Sequence, residues 1–145
     1  DLDLLGTTRA IEAAMPALTA SDAASIVCIG STAAVEEFGA AMTYNAIKGA
    51  VIVHAKQLAL ALGPQGIRVN CVSPGPTMVE GGDWDMIKTH MPEVYDAALS
   101  AQPMGRLGTP EEVANAIVFL ASPAASWITG TNLMADGGAT KRVQL

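Results

Sequence analysis

The sequence predicts an α/β domain built on a parallel, doubly wound sheet. Short apolar strands alternate with longer helical segments, and this alternation is typical of parallel sheets joined by right-handed crossovers. The segment Ser25 to Ile29 is a continuous apolar run, as expected for a strand covered on both faces. Half of the 145 residues are hydrophobic but only 4% are aromatic. This composition predicts one domain with a core of Ala, Val, Ile and Leu.

Start and stop signals divide the chain into elements. Gly63-Pro64 ends a long helix, because neither residue continues it well. Thr109, Pro110 and Glu112 have the spacing of a capping box at the start of another helix. The predicted order is helix 4–18, strand 25–29, a loop of small residues 30–42, helix 43–62, strand 67–72, one or two helices over 84–100 broken at Pro92, helix 110–120 and strand 132–135.

Charge and hydropathy exclude several classes of partner. The net charge of −6 argues against nucleic acid and against an anionic membrane surface. The apolar run of the long helix is interrupted by His54, Lys56 and Gln57, so we expect no membrane span. Asp1-Leu2-Asp3 lacks the basic region of a signal peptide.

The cysteines and histidines do not indicate a metal site. Cys28 and Cys71 both lie in apolar, strand-like runs, which predicts buried, reduced thiols and a cytoplasmic protein. His54 and His90 have no Cys or carboxylate partners at ligand spacing, so no metal is expected. His54 is expected at an exposed or interface position. His90 is expected at the surface, and contact with the substrate is the alternative.

Tyr44 and Lys48 are the residues most indicative of chemistry. They are four positions apart on the long predicted helix, so both side chains leave the same face. An ammonium close to a phenol favours the phenolate form, which makes tyrosine useful in proton transfer. Ser31 follows the neighbouring strand, and its hydroxyl can hold a substrate oxygen. A solvated helix face is the alternative interpretation of the pair.

Several further motifs accompany these three residues along nearly the whole chain. They are Arg68-Val69-Asn70 leading into Ser73-Pro74-Gly75, the stretch Gly105-Arg106-Leu107-Gly108-Thr109-Pro110-Glu111-Glu112, and the ending Asp136-Gly137-Gly138. With Ser31 and Tyr44-x-x-x-Lys48, the set resembles the classical subgroup of the short-chain dehydrogenase/reductase family. The resemblance implies a Rossmann-type enzyme that moves hydride between NAD or NADP and a small ketone or secondary alcohol. It also implies a homo-oligomer, either a dimer or a tetramer.

The resemblance also assigns roles to four catalytic positions. Tyr44 would be the acid/base, Lys48 would favour its phenolate and bind the nicotinamide ribose, and Ser31 would orient the substrate oxygen. The fourth catalytic group of the family is an asparagine in an Asn-Leu-x-Gly segment. This chain has Asp3-Leu4-Leu5-Gly6 there, so the resemblance places a charged Asp3 in the proton relay.

A loop and a lid complete the implied site. The backbone at Pro74, Gly75 and Thr77 would lie against the nicotinamide ring and its carboxamide. The family usually has a threonine two residues beyond Thr77, where this chain has Val79. Residues 77–104 would form the substrate lid, whose Met, Trp and Pro content suits an apolar pocket that excludes water.

The glycine-rich turn that seats a pyrophosphate has no counterpart in this sequence. Relative to the family, three to four strand–helix units are missing, about 100 residues at ~30 per unit. Residues 1–145 are therefore expected to form a single partial domain, the C-terminal catalytic half of the fold, and to be a fragment or the ordered part of a longer protein. Its first strand would then be an exposed, apolar sheet edge.

Two other functions compete with the dehydrogenase. One is a catalytically inactive fragment or half-domain retained for oligomer assembly, in which the long helix and the last helix and strand form interfaces. The other is a dehalogenating lyase of the same fold, but such relatives carry arginine at the position of Lys48. Glu36 and Glu37 are expected to be solvated, and Trp127 is expected to be a packing anchor before the last strand.

Overall fold

Among the described residues, the sheet has three parallel strands that follow one another across it in chain order. The computed structural model describes residues 2–36 and 41–143. The strands are β1 (Ser25–Ile29), β2 (Arg68–Pro74) and β3 (Asn132–Ala135). Ser25 pairs with Arg68 in the β1–β2 ladder, and Cys71 pairs with Asn132 in the β2–β3 ladder. The predicted α/β class with a parallel sheet is confirmed.

Five α-helices connect and cover the strands within the described residues. They are α1 (Thr7–Thr19), α2 (Thr43–Leu62), α3 (Asp83–His90), α4 (Pro92–Ser100) and α5 (Pro110–Ala121). The predicted bounds of β1, α2 and β3 match the structure, and the break at Pro92 separates α3 from α4. The first predicted helix is divided, because a π-helical turn over Leu2–Gly6 precedes α1. The second strand runs two residues further than predicted, so Pro74 belongs to β2.

The helices α1 and α2 cover one face of the sheet with small and branched side chains. Val51, Ala55 and Ala59 of α2 are at most 4% exposed and pack against Val69 and Cys71 of β2. Alanines at these positions let the helix backbone approach the strands closely, and branched residues fill the space between them. This cluster is the larger of the two apolar cores.

The helix α5 covers the opposite face. Successive residues of a strand point to opposite faces, so Val72 lies on the other side from Cys71 and packs against Leu120 of α5. Ala125, in the turn that follows α5, completes this smaller cluster. Helices on both faces give the doubly wound arrangement that the sequence predicts.

The two crossovers have opposite handedness. The strands follow one another across the sheet in chain order, yet α2 and α5 lie on opposite faces. Two connections that step in the same direction over opposite faces must differ in hand. The strong preference for right-handed crossovers is therefore met by only one of them, and the expectation of right-handed crossovers throughout is wrong. The β2–β3 connection is also the one that contains three helices.

The burial predicted for the two cysteines is confirmed, whereas the burial predicted for Trp127 is not. Cys28 and Cys71 are free thiols, 4% and 1% exposed, as predicted. Burial raises the pKa of both thiols, that of Cys71 to about 11. Trp127 is 98% exposed, so the prediction of a packing anchor is wrong. The turn before β3 directs this side chain away from both clusters.

By length and composition, the segment Thr43–Gln65 is apolar enough to cross a membrane, with a mean hydropathy of 1.2. One such helix is weak evidence for a membrane span, because core helices of globular proteins pass the same test. Here the segment contains α2, which supplies Val51, Ala55, Ala59 and Leu62 to the larger core cluster.

Candidate functional site

The carboxyl end of β1 is fixed against β2 and α2 by Gly30. Its amide donates a hydrogen bond to the Val72 carbonyl at 2.8 Å, which continues the ladder one residue beyond β1. A Cβ at this position would lie 2.5 Å from Ser73 Oγ and 3.0 Å from both Cys71 Sγ and Ile52 Cγ1. Only a residue without a side chain fits here, so the chain leaves β1 along a fixed path.

Ser31 comes directly after this glycine and begins the 3-10 turn Thr32–Ala34. Its backbone is extended and its Oγ accepts a hydrogen bond from the Ala33 amide at 3.2 Å. This bond uses an acceptor lone pair and leaves the hydroxyl proton able to be donated. The hydroxyl is therefore oriented at the carboxyl edge of the sheet, where ligands bind in open α/β folds.

Tyr44 and Lys48 lie in the first turns of α2, one helical turn apart. The Lys48 ammonium is 5.7 Å from the centroid of the Tyr44 ring, within the range of a cation–π contact. Tyr44 is 46% exposed, whereas the side chain of Lys48 is only 12% exposed. The predicted pair is thus brought together, with the phenol open to solvent and the cation largely enclosed.

Two acceptors from separate elements hold the Lys48 ammonium. Nζ donates to the Ile29 carbonyl at the end of β1 over 3.2 Å and to Asp3 Oδ1 over 3.0 Å. Asp3 lies in the π-helical turn before α1, and its own carbonyl accepts from Thr7 Oγ1 at 2.5 Å. The structure therefore brings Asp3 to the Tyr44–Lys48 pair by a direct ion pair.

The loop after β2 is the other predicted part of the site. The Gly75 amide donates to the Ala135 carbonyl at 3.0 Å, and a Cβ on Gly75 would lie 2.8 Å from the Cβ of Asp136. Thr77 Oγ1 donates to the Gly75 carbonyl at 3.0 Å, which closes the turn. Val79 is 46% exposed. These contacts fix the backbone of this loop against the end of β3.

A cavity of about 280 Å³ opens beside this loop. Its lining comes from the loop after β2, the segment between α4 and α5, and the end of β3; it includes Pro76, Gln102, Met104, Arg106 and Asp136. Burial opposes ionisation of Asp136, yet hydrogen bonds from Thr140 and from the Gly138 amide lower the pKa of its carboxyl. Ser31, Tyr44 and Lys48 lie outside this cavity, at the end of the neighbouring strand β1.

The start of α5 is organised by Glu112. Its carboxylate accepts from both terminal nitrogens of Arg106, at 2.8 and 2.6 Å, and from the Thr109 amide at 2.9 Å. Thr109 Oγ1 in turn accepts from the Glu112 amide, so the predicted capping box is confirmed. The hydrogen bonds from Arg106 are the main reason why the pKa of Glu112 falls to about 2.

The sequence analysis missed the contacts of Glu36. Its Oε1 accepts from the amides of Lys141 and Arg142, at 2.8 and 3.2 Å, so it holds the chain after β3 instead of being simply solvated. The position paired with it in the sequence analysis, Glu37, lies outside the described residues. No local signal points to such a contact, because its partners are backbone groups more than a hundred residues away.

Residues 2–36 and 41–143 contain no cluster of side chains that could bind a metal ion. No group of three or more His, Cys, Asp or Glu side chains lies close enough together to hold an ion. His90 is exposed, and its Nδ1 lies 2.9 Å from the Met86 carbonyl in the last turn of α3.

Comparisons with known proteins agree with this arrangement. Residues 1–140 match a family model described as enoyl-(acyl carrier protein) reductase. The chain is 44% identical over 138 residues to isoepoxydon dehydrogenase of Aspergillus clavatus. The aligned region covers 94% of this chain and 53% of that protein. The chain thus spans about half the length of the curated relatives it matches.

Two solved structures superimpose on the fold. One is an oxidoreductase of the short-chain dehydrogenase/reductase family from Burkholderia thailandensis, with a TM-score of 0.85 and 34% identity over 94% of this chain and 53% of that one. The other is a 3-oxoacyl-[acyl-carrier protein] reductase with bound NAD from Brucella melitensis, with a TM-score of 0.81 and 34% identity over 94% of this chain and 48% of that one. The chain therefore belongs to the short-chain dehydrogenase/reductase family.

Proposed function

We propose that this chain is the catalytic half of an NAD(P)-dependent oxidoreductase that interconverts a small ketone and a secondary alcohol. The observation that carries the proposal is the Tyr44–Lys48 pair, with an exposed phenol beside an enclosed ammonium at the carboxyl end of β1. Relatives with dehydrogenase and reductase activities support the reaction class.

In the reductive direction, the Tyr44 hydroxyl donates its proton to the substrate carbonyl oxygen as the carbon receives hydride. In the oxidative direction, the phenolate removes the proton of the alcohol. The Lys48 ammonium favours the phenolate through its positive charge. The Ser31 hydroxyl donates a hydrogen bond to the same substrate oxygen and so orients it.

The residues of this chain suit one end of a nicotinamide dinucleotide. Lys48 has three N–H donors, and Asp3 and Ile29 take two of them among the described residues, which leaves one for a ribose hydroxyl. The backbone from Pro74 to Thr77 is fixed and would lie against the nicotinamide. When bound, the cofactor supplies or accepts the hydride. The phosphates would need hydrogen-bond donors from residues outside this sequence. The residues that decide between NAD and NADP would also lie outside it.

Residues 77–104 would form the lid over the substrate. They contain α3 and α4, and Met86 on α3, Val94 on α4 and Met91 between them are more than 40% exposed, with Met104 exposed beyond them. Flexible apolar side chains on two short helices suit a segment that closes over a small apolar substrate and excludes water.

We further propose a cytoplasmic homo-oligomer, either a dimer or a tetramer. The two reduced, buried cysteines support a reducing compartment. Val118, Phe119 and Trp127 are 64%, 42% and 98% exposed, and apolar side chains of this size are often covered by a second subunit. The same exposure supports the competing function, an inactive half-domain retained for assembly.

The substitution Tyr44→Phe in the full-length protein separates these two functions. It removes the proton that is transferred and keeps the ring under the Lys48 ammonium, so the fold should be preserved. We expect kcat for reduction of a panel of small ketones with NADH or NADPH to fall at least a hundredfold, roughly the contribution of a general acid. Turnover that survives the change would refute the proposed mechanism. The control is Thr19→Val at the end of α1, which removes an exposed hydroxyl outside the site and should leave kcat within about twofold.

A further inference from the structure

Ser73 carries a buried hydroxyl at the carboxyl end of β2, close to the site but with no part in the proton transfer. Its side chain is fully buried, and its Oγ donates a hydrogen bond to Asn132 Oδ1 on β3 at 2.7 Å. A buried hydroxyl is costly unless it is hydrogen-bonded, and this distance is the usual one for a hydroxyl donor. Because its single proton goes to Asn132, the direction of the Ser73 hydroxyl is fixed.

The Ser73 hydroxyl lies directly beside Gly30. A Cβ on Gly30 would lie 2.5 Å from Ser73 Oγ, so the oxygen occupies the space where a side chain would be. Gly30 is also held in the ladder, since its amide donates to the Val72 carbonyl at 2.8 Å. The next residue is Ser31. The position at which Ser31 leaves β1 is therefore set by this hydrogen bond and by the Ser73 hydroxyl.

Ser73 also leads into the other part of the site, the loop after β2. The Gly75 amide in that loop donates to the Ala135 carbonyl of β3 at 3.0 Å. The bond from Ser73 to Asn132 joins the same two strands two residues earlier in β2. One buried side chain thus lies against the turn that carries Ser31 and begins the loop proposed for the nicotinamide.

We propose that Ser73 is a positioning residue that holds the Ser31 hydroxyl where it orients the substrate oxygen. The inference rests on the proposed function and names the group that fixes one of its hydrogen-bond donors. Ser73 acts through Gly30 and does not touch the substrate. Such support matters because a misplacement of about 1 Å at a reacting centre can lower the rate by about a hundredfold.

A purely structural role for Ser73 is the competing explanation. The hydroxyl would then only satisfy Asn132 and fill space, and its loss would lower stability without a specific effect on turnover. Ser25 separates the two explanations, because it is a serine at the amino end of β1, the opposite edge of the sheet. Its Oγ donates to the Leu120 carbonyl at 3.3 Å, so Ser25→Ala also removes one hydrogen bond between elements.

The first test compares Ser73→Ala with Ser25→Ala in the full-length protein. Ser73→Ala empties the space beside Gly30 and leaves Asn132 without its donor. We expect kcat for a panel of small ketones with NADH or NADPH to fall about tenfold in Ser73→Ala, and to stay within about twofold in Ser25→Ala. The same change in a Ser31→Ala background should alter kcat by less than about twofold, because the group that Ser73 positions is then absent.

A second readout does not depend on turnover. The Ala33 amide donates to Ser31 Oγ at 3.2 Å, so its hydrogen exchange reports whether Ser31 keeps its place. We expect this amide to exchange about fivefold faster in Ser73→Ala than in the wild type, and at the wild-type rate in Ser25→Ala. If Ser73→Ala does not fold, Asn132→Ala takes its place, because it removes the acceptor that orients the Ser73 hydroxyl and should change exchange in the same direction.

Two results would overturn the role of Ser73. One is a loss of kcat in the Ser31→Ala background as large as in the wild type. The other is exchange of the Ala33 amide at the same rate in Ser73→Ala and Ser25→Ala. If the wild type itself reduces no ketone with either cofactor, the proposed function is rejected, and exchange at Ala33 still decides whether Ser73 holds Ser31 in place.

Discussion

The two faces of the sheet are held together by different forces. On the α1/α2 face, apolar side chains from α1, α2, β1 and β2 pack tightly, and every buried residue of the cluster is Ala, Val, Leu, Ile or Cys. On the α5 face the buried apolar cluster is much smaller, and polar side chains of β2 bind the surrounding backbone. The first face is stabilised by close packing of apolar side chains, and the second mainly by hydrogen bonds from side chains to the backbone.

Arg68 is the main polar contact of the α5 face. Its guanidinium donates to the carbonyls of Leu120, Ala121 and Ser122, at 2.7 to 3.2 Å, and more weakly to that of Ile128. These are carbonyls that the end of a helix leaves without partners, and a cation there also suits the helix dipole.

Asn70 has a similar function one step along the strand. It is fully buried, and its amide donates to the Ile128 carbonyl at 2.9 Å while its oxygen accepts from the Thr131 amide at 3.1 Å. From a fully buried position it therefore pairs a carbonyl and an amide of the loop between α5 and β3. The comparison shows that a sheet can be covered by a helix without a large apolar core where side chains satisfy the backbone.

The largest effect is expected from overpacking the α1/α2 face. Gly30→Ala places a methyl group where Ser73 Oγ, Cys71 Sγ and Ile52 already lie, so we expect a loss of about 3 kcal/mol in the free energy of unfolding. Urea denaturation measures it. Gly49→Ala on α2 is the matched control, since no atom lies within 4 Å of the added Cβ, and it should stabilise the helix by about 0.5–1 kcal/mol. Equal effects for the two glycines would show that this face is loosely packed.

A smaller effect is expected from removing the donors of the α5 face. Arg68→Met keeps much of the apolar stem but leaves carbonyls at the end of α5 without their donor, so we expect a loss of about 2 kcal/mol. Arg9→Met on the exposed surface of α1 is the control and should change stability by less than about 0.5 kcal/mol. If Arg68→Met also falls within that range, hydrogen bonding does not hold this face.

The smallest effect is a pH dependence at the start of α5. The pKa of Glu112 is lowered to about 2 from its ordinary value of 4.5, so its ion pair stabilises the fold above about pH 4.5 and is lost as the pH falls toward 2. Gln at this position keeps the capping box and removes the charge. We expect the Tm of Glu112→Gln to lie slightly below that of the wild type at pH 7 and to converge with it near pH 2. Parallel Tm curves across this range would contradict the assignment.

Elements specified by local signals could be predicted from the sequence. The bounds of α2 and the capping box of Thr109 and Glu112 depend on residues within a few positions of each other. Lys48 and Tyr44 were paired by helical spacing for the same reason. What local patterns could not give are contacts across the chain, such as Asp3 with Lys48 or Arg68 with the end of α5. The prediction for Trp127 is wrong for a related reason. The sequence places an aromatic residue before a strand, but it does not show to which side the preceding turn directs the side chain.

Cys28 and Cys71 occupy paired positions in the β1–β2 ladder, and this has a consequence for how motion in the protein is observed. Thiolates are the species that alkylating reagents attack, and here both thiols are shielded by the sheet and by α2. Reagent can reach them only when β1 separates from β2 or when the helix lifts. Their labelling rate therefore reports the local opening of the strand from which Ser31 emerges, without any probe being introduced.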